Sequence, residues 1–288
     1  MTPPVVGQFR FPIRAAAFAA AFFVSAASAA AAPASACKPL PGATRLWASP
    51  RTQFVMFGEI HGAAEIAPLV ADAVCLAARR RPVVLALELD ETLQPNIDAF
   101  LASDGGPEAL VRLGAGGDWT DHSDGRVSTA LIALVERLRE MRRSGLDVGI
   151  RLVDSQRRDP TLGRDGVMAQ NLEAIVRDRP DVLVISLGGN AHARRLHRFG
   201  NGRLRLSAAA ILGRERAVSL DLDAVGGTAW FCSDDGCGPH PLDPVAAVPR
   251  RGVRPADPRE SVEVDFYYSP GVALTPAEPV GYVPAARP

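Results

Sequence analysis

The pattern Gly-x-x-His occurs twice in this chain, each time at the polar end of an apolar run. The first copy spans residues 58–61 and the second spans residues 189–192. If both runs are parallel strands of one sheet, His61 and His192 meet at the same edge of that sheet. Open parallel α/β sheets bind their ligands in the crevice outside the carboxyl ends of the strands. The doubled pattern therefore indicates a parallel sheet with a functional site at this edge.

Two further apolar runs end in carboxylates, at Glu88 and Asp90 after residues 83–87 and at Asp154 after residues 148–153. From residue 53 to about residue 193, short β-rich runs alternate with longer helical patterns, which is typical of βαβ units. Helices are predicted at residues 63–80, 92–102, 127–144 and 164–179. We expect an α/β fold with a mostly parallel sheet flanked by helices and a C-terminal β extension.

The first 36 residues have the features of a secretory signal peptide. Arg10 and Arg14 precede an alanine-rich apolar stretch that ends among Ala-x-Ala sequences. A membrane anchor is the competing interpretation, because the stretch borders the ~20 residues that a span needs. Residues 37–288 suit one α/β domain, with a motif core at 53–194 and a β-rich extension at 200–288. We predict an exported protein, periplasmic or secreted, with no transmembrane span after signal removal.

The chain has four cysteines, an even number that predicts two disulfides in an exported protein. Cys232 and Cys237 bracket a Ser-Asp-Asp-Gly turn sequence, which favours their pairing and leaves Cys37 for Cys75. A second interpretation takes residues 34–37 as a weak lipoprotein cleavage site with an acylated Cys37, which would leave Cys75 unpaired. Zinc binding ranks lower, because no close Cys-x-x-Cys pair is present.

Charge and motifs exclude several classes of function. Lysine plus arginine and aspartate plus glutamate both number 32, so the net charge is zero and no basic footprint for nucleic acid exists. The dinucleotide and P-loop glycine patterns are absent, and so are the Gly-x-Ser-x-Gly and His-Glu-x-x-His motifs. The expected partner is a small-molecule or peptide substrate.

The strongest chemical candidates are Glu59, His61, Glu88 and His192. A histidine beside a carboxylate acts as a general base on water or helps to bind a divalent metal; the alternative is a turn with two solvated side chains. Glu88 follows an apolar strand and cannot be buried without a partner, for which His61, Arg164 or a metal are the candidates.

Four further residues are candidates for contacting a substrate. Arg164 opens a helix and can orient a carboxylate or a substrate oxyanion. Asp90 and Asn190 are either substrate contacts or caps of the helices that follow them. Trp119 lies in a Gly- and Asp-rich stretch, residues 103–125, which is either a lid over the strand ends or a solvated loop that this tryptophan holds to the body.

Taken together, four segments resemble a known superfamily in their order along the chain: residues 58–62 (Gly-Glu-Ile-His-Gly), 88–90 (Glu-Leu-Asp), 164–172 and 189–192 (Gly-Asn-Ala-His). The superfamily joins erythromycin esterases, Tiki-type metalloproteases and ChaN-like haem-uptake proteins. Its members differ in activity, so the resemblance implies a scaffold with several possible functions.

The three branches imply different roles for the same residues. The esterase-like branch implies that His61 is the base for a water nucleophile, with no metal. The Tiki-like branch implies a divalent metal held by His61, Glu88 and His192, and the ChaN-like branch implies haem or metal binding and uptake without catalysis. We expect an exported hydrolase acting on an ester or amide, with or without a metal; the alternative is a haem or metal binding protein.

Overall fold

The computed structural model describes residues 37–117, 119, 123–155, 159, 161–198, 204–259 and 262–280. The strands are β1 (Phe54–Glu59), β2 (Val83–Asp90), β3 (Val148–Asp154), β4 (Leu183–Gly189), β5 (Leu196–Arg198), β6 (Leu204–Leu206), β7 (Ala217–Leu222), β8 (Thr228–Ser233), β9 (Gly236–Pro241), β10 (Gly252–Pro255) and β11 (Phe266–Ser269). The α-helices are α1 (Ile66–Ala78), α2 (Gln94–Ala102), α3 (Pro107–Leu113), α4 (Thr129–Arg143), α5 (Gly163–Asp178), α6 (Asn190–Ala193) and α7 (Ala208–Leu212), and 3-10 helices span Ala43–Trp47 and Glu91–Leu93.

Seven strands form one sheet in the order β10-β11-β7-β1-β4-β2-β3. Six of them are parallel, and β10 pairs antiparallel to β11 at one edge. The central strands β1 and β4 pair in a register that sets Gly58 opposite Gly188 and Glu59 opposite Gly189. The predicted α/β fold is confirmed, and the two Gly-x-x-His segments begin side by side at the carboxyl ends of neighbouring strands.

Helices cover both faces of the sheet, which explains why its strands are continuous apolar runs. Side chains alternate along β1, so Phe57 packs in the core that also contains α1 and α4, and Met56 packs in the core that contains α5 and α7. Because each strand is buried on both sides, the polar residues that interrupt the pattern lie at the strand ends. This arrangement concentrates the charged groups at one edge of the sheet.

The helices lie near their predicted positions, with differences at their starts. The first helix begins at Ile66 rather than Ala63, because residues 60–65 form the turn after β1. Asp90 ends β2 as the N-cap of the 3-10 helix Glu91–Leu93, and its Oδ1 accepts a hydrogen bond of 2.8 Å from the Thr92 amide. The predicted helix in this region therefore starts with a 3-10 turn before α2 begins.

After residue 200, β7 and β11 extend the main sheet and β8 and β9 form an antiparallel hairpin, as the β-rich extension predicted. A second hairpin, β5 with β6, is additional. The predicted signal peptide, residues 1–36, lies outside the described residues. Within the described part of the chain, no helix combines the length and apolar character that crossing a membrane requires.

Both predicted disulfides are present. Cys37 pairs with Cys75 of α1, and Cys232 pairs with Cys237 across the β8–β9 hairpin. The bond to Cys75 leaves no thiol on Cys37 for acylation, so the lipoprotein interpretation is wrong for this structure. Two disulfides are consistent with export.

Candidate functional site

The turn after β1 holds the first histidine against the last residue of the strand. The Nδ1 atom of His61 lies 3.1 Å from Oε1 of Glu59, and the two side chains are 18% and 14% exposed. A carboxylate accepts only, so Nδ1 carries the proton and the lone pair of the neutral ring is on Nε2. Gly62 permits this turn: its φ is +66°, and a Cβ there would lie 2.2 Å from the Trp230 carbonyl oxygen.

Glu88 lies at the centre of the site and is 5% exposed. Its Oε1 accepts a hydrogen bond of 2.6 Å from Nη2 of Arg164, and its Oε2 accepts one of 2.6 Å from the main-chain amide of Gly189. A Cβ on Gly188 would lie 2.9 Å from the same Oε2, so the carboxylate packs directly on the backbone of β4. The partner that a buried glutamate requires is therefore Arg164.

The charges around Glu88 keep it ionised. Burial alone would raise the pKa of this carboxyl group, but the positive groups nearby hold the pKa far below its ordinary value. These groups are His61, His192, Arg164 and Arg126. A carboxylate that stays charged throughout the physiological range is a fixed negative group and not a proton acceptor.

The second histidine is held by a carboxylate as well. Nδ1 of His192 lies 2.7 Å from Oδ1 of Asp165, a buried side chain that also accepts a hydrogen bond of 3.0 Å from the Ala208 amide. On the other side of the ring, Nε2 of His192 lies 3.2 Å from Nη1 of Arg164 and 3.6 Å from Oε1 of Glu88. Arg164 can only donate, so it occupies the lone pair of this ring.

The two histidines therefore differ at Nε2. That atom of His61 lies 3.9 Å from Oε2 of Glu88 and makes no hydrogen bond to any described residue. His61 is one of the residues that line a cavity of about 10 Å³, together with Glu59, Leu87, Glu88, Leu89, Arg126, Leu131 and Leu187. About one water molecule fits a space of this size, and the polar residues in the lining are its candidate hydrogen-bonding partners.

The charges of neighbouring residues change the pKa of His61. Burial alone would lower the pKa of His61, but the hydrogen bond to Glu59 and the negative charges of Glu88 and Glu59 outweigh burial and raise it. The positive charge of Arg126 acts in the opposite direction. A raised pKa means that the ring loses its proton at a higher pH than an ordinary histidine does.

A second arginine, Arg126, completes the site. Its Nη1 lies 3.7 Å from Oε1 of Glu88 and 3.7 Å from Oδ2 of Asp154, while Asp124 holds its Nε and Nη2 at 3.0 and 2.9 Å. Asp154 also accepts a hydrogen bond of 3.1 Å from Nε of Arg164. Two guanidinium groups and three carboxylates thus form one network.

From sequence, Asp154 was named as a polar residue at the carboxyl end of a strand but was given no role in the site. Arg126, Asp124 and Asp165 were not predicted in the site. Asp165, in the first turn of α5, accepts a hydrogen bond from one amide and also holds His192. Arg126 lies among residues 123–127, which form no helix or strand, and the sequence carries no pattern that places it.

The other three predicted substrate contacts differ in their surroundings. Asp90 is a cap, as described above, and is 5% exposed. Trp119 is 1% exposed and packs in the hydrophobic core, as expected if this tryptophan holds its segment to the body. Asn190 is the first residue of α6 and makes no capping bond, because Gly189 occupies the N-cap position.

A large cleft lies beside both motifs and has a volume of about 730 Å³. The cleft is lined by Ile60, which lies between Glu59 and His61, and by Asn190, which belongs to the second Gly-x-x-His motif. Ion pairs of Arg194 with Asp221 and of Arg254 with Asp223 form part of its wall. Clefts of this volume are typical of small-molecule sites.

The donor set does not fit a divalent metal. Both oxygens of Glu88 accept hydrogen bonds, and Nη1 of Arg164 lies 3.2 Å from Nε2 of His192, the nitrogen that would have to bind the metal. The guanidinium of Arg164 contacts Glu88 at 2.6 Å, where a cation would be repelled. Among the described residues, no group of three or more His, Cys, Asp or Glu side chains is arranged to hold a metal ion. The metal set proposed from sequence, His61, Glu88 and His192, is thus a hydrogen-bonded network.

The same network does not fit haem. An axial ligand needs an accessible imidazole, phenolate or thioether, and a porphyrin needs an open slot beside it. Nε2 of His192 is occupied by Arg164, and the cavity that His61 lines has a volume of about 10 Å³. The Tyr268 hydroxyl is buried and donates to the Gly58 carbonyl oxygen at 2.7 Å.

Comparison with known proteins gives structural similarities only. No protein-family model and no curated protein sequence matches the chain. A mutant of the erythromycin esterase EreC in its open conformation is 14% identical, with a TM-score of 0.48, covering 73% of this chain and 79% of the other. A Bacillus cereus protein is 12% identical, with a TM-score of 0.46, covering 70% and 73%. ChaN of Campylobacter jejuni, a structure with cofacial haem, is 12% identical, with a TM-score of 0.37, covering 60% and 82%. These neighbours include an erythromycin esterase and a ChaN protein, which represent two of the groups that the sequence motifs resemble.

Proposed function

We propose that this protein is a hydrolase in which His61 activates water for attack on an ester or amide. The observation that carries the proposal is the arrangement of His61: Glu59 holds its Nδ1, its Nε2 makes no hydrogen bond to a described residue, and the side chain lines a cavity with room for about one water. A histidine with one nitrogen fixed by a carboxylate and the other free is arranged as a general base.

The proposed reaction needs only groups on this chain. Water attacks the carbonyl carbon as its proton moves to Nε2 of His61, and Glu59 and the fixed charge of Glu88 stabilise the imidazolium that forms. The proton then passes to the leaving alcohol or amine as the carbon–heteroatom bond breaks, and a carboxylic acid is released. Arg126 lines the same cavity and is the candidate donor to the oxygen on which negative charge develops.

The cleft of about 730 Å³ is the proposed position of the substrate. Ile60, which lines the cleft, lies between Glu59 and His61 in the sequence, so this end of the cleft is the proposed position of the carbonyl group. The cleft is large enough for a substrate of drug size, which supports a small molecule or a short peptide.

The experiment is hydrolysis of a panel of p-nitrophenyl esters and p-nitroanilide amides by the wild-type protein and by His61→Ala. We expect kcat/KM to fall about 100-fold or more in the variant, because general base catalysis contributes that much. His240→Ala is the matched control, since His240 lies in the β8–β9 hairpin and its ring contacts Gly236 and Ser233. In water enriched in ¹⁸O, one labelled oxygen should enter the acid product.

Turnover by His61→Ala at the wild-type rate would overturn the proposal, as would an acid product without ¹⁸O. A chelator such as EDTA is added in a parallel assay. Because the donor set does not fit a divalent metal, we expect the rate to be unchanged by the chelator; a loss that zinc or manganese restores would contradict the role given to His61.

A further inference from the structure

Trp230 of β8 contacts both segments that carry the proposed reacting groups. Its main-chain amide donates a hydrogen bond of 2.9 Å to the Gly62 carbonyl oxygen, next to His61. Its indole Nε1 donates one of 2.8 Å to the Ser123 carbonyl oxygen, at the start of the segment that carries Arg126. The side chain is 4% exposed, so water does not replace these bonds easily.

Two glycines allow the chain to pack this closely on Trp230. Gly62 and Gly125 have φ angles of +66° and +88°, and a Cβ on either would lie 2.2 or 2.3 Å from the Trp230 carbonyl oxygen. A Cβ on Gly125 would also lie 2.9 Å from Cα of Gly62. Main-chain atoms of three separate segments thus meet at one point, with no space for a side chain.

The two bonded segments are short and irregular. Residues 60–65 form the turn after β1, and residues 123–127 contain Asp124 and Arg126 but no helix or strand. The second segment has a main-chain bond at its far end, where Val280 donates to Val127 at 3.1 Å. Its near end is bonded to Trp230 through Ser123, two residues before the Gly125 contact.

We propose that Trp230 is a positioning residue that fixes His61 and Arg126 relative to one another. Through the indole bond to Ser123, it keeps the arginine at the cavity beside the histidine, and through Gly62 it holds the turn that presents the histidine. The inference rests on the proposed function in taking these two side chains as the reacting pair. The C-terminal extension supplies Trp230, so under this proposal the extension helps to complete the site.

The test is Trp230→Phe, which keeps an aromatic ring and removes the N–H donor. Trp47→Phe is the matched control, because the Trp47 indole nitrogen is buried without a hydrogen-bond partner among the described residues. The measurement is side-chain NMR at fixed pH: solvent exchange of the Arg126 Nε–H and the ring signals of His61. Each signal is assigned by its loss in Arg126→Lys or His61→Gln.

The Arg126 Nε–H donates to Oδ2 of Asp124 at 3.0 Å, so it reports directly on this segment. We expect its exchange to accelerate about fivefold or more in Trp230→Phe, as the loss of one buried hydrogen bond implies. The ring signals of His61 should shift, since the groups that face this ring, Glu59, Glu88, Asp124 and Arg126, change their distances to it. In Trp47→Phe, both readouts should stay at the wild-type values.

Unchanged exchange and ring signals in Trp230→Phe would overturn the proposal. If this variant does not fold, β-(3-benzothienyl)alanine at position 230 provides the same test, because sulfur replaces the indole N–H in a side chain of nearly the same shape. Neither measurement depends on turnover. Absence of hydrolysis in the wild-type protein would therefore count against the proposed function and leave the positioning role to be decided by the spectra.

Discussion

Nε2 of His61 lies 3.9 Å from Oε2 of Glu88, close enough for charge attraction and too far for a hydrogen bond. The carboxylate is thus near enough to stabilise a protonated ring without occupying the lone pair of the neutral one. Because Glu88 is already bonded to Arg164 and to the Gly189 amide, it does not move to close this gap. The separation keeps His61 available as a base.

Replacing Glu59 by Gln should move the pH dependence of turnover to lower pH. The active form of the base is the neutral ring, so kcat/KM rises as pH increases through the pKa of His61. In the wild-type protein this pKa is raised above the ordinary 6.5, and the hydrogen bond to Glu59 is the largest contribution that raises it. Without that contribution, the rising part of the kcat/KM profile should shift downward in pH.

The control is Glu65→Gln, since Glu65 bonds Thr275 at the protein surface. A profile of Glu59→Gln that coincides with the wild-type profile, or that shifts upward in pH, would show that Glu59 does not set the pKa of the base.

Replacing Arg164 by Ala should destabilise the fold. The variant removes the 2.6 Å ion pair of the buried Glu88 carboxylate, which keeps the Gly189 amide and the more distant Arg126 among the described residues. Since the Glu88 side chain is buried and the Arg164 side chain is about one-third exposed, the loss should lie between those of surface and buried pairs, about 2 kcal/mol in the free energy of unfolding. Urea unfolding at neutral pH measures this cost.

Arg151→Ala provides the comparison, because Arg151 pairs with Asp98 where both side chains are about half exposed. That variant should lose less than about 1 kcal/mol. Equal losses in the two variants would mean that the Arg164 pair is as weak as a surface pair.

The main elements of the fold follow from sequence because the sheet is buried on both faces. Apolar runs at residues 83–87 and 182–187 could only be interior strands once helical patterns separated them, and both are strands of the sheet. The disulfide pairing followed from the turn sequence between Cys232 and Cys237. These features depend on local patterns that a single chain displays.

The full set of residues in the site was harder to predict from the sequence. Glu59, His61, Glu88 and His192 converge because they follow neighbouring parallel strands, which a motif at a strand end reveals. Arg126 reaches the same place from an irregular segment, and its position depends on the contacts between Gly125, Gly62 and Trp230. Those contacts join residues far apart in sequence, so no local pattern encodes them.

Replacing Gly189 by Ala should reduce turnover while leaving the fold stable. The residue has φ near −54°, which alanine adopts, but its Cβ would lie 3.2 Å from Nε2 of His61 and 3.5 Å from Oε2 of Glu88. A methyl group there intrudes on the free lone pair of the base, and displacements of about 1 Å can cost about 100-fold in rate. We expect kcat to fall by about that factor, measured with the best ester of the panel.

Gly238→Ala is the control for that substitution, since a Cβ at this hairpin position meets no atom within 4 Å. Full activity of Gly189→Ala would show that the reacting water does not approach His61 from the side of β4.

Removing the two disulfides separately should have unequal effects on stability. Cys37 and Cys75 are 38 residues apart, whereas Cys232 and Cys237 are 5 residues apart. A longer closed loop restricts the unfolded chain more, so the chain-entropy estimate is about 4 kcal/mol for the first bond and about 2 kcal/mol for the second. Double serine variants at each pair, unfolded in urea under non-reducing conditions, measure the difference. A larger loss for the hairpin pair would mean that Cys232–Cys237 stabilises the folded state through its contacts, including Sγ of Cys237 with the Ser123 hydroxyl at 3.4 Å, more than through restriction of the unfolded chain.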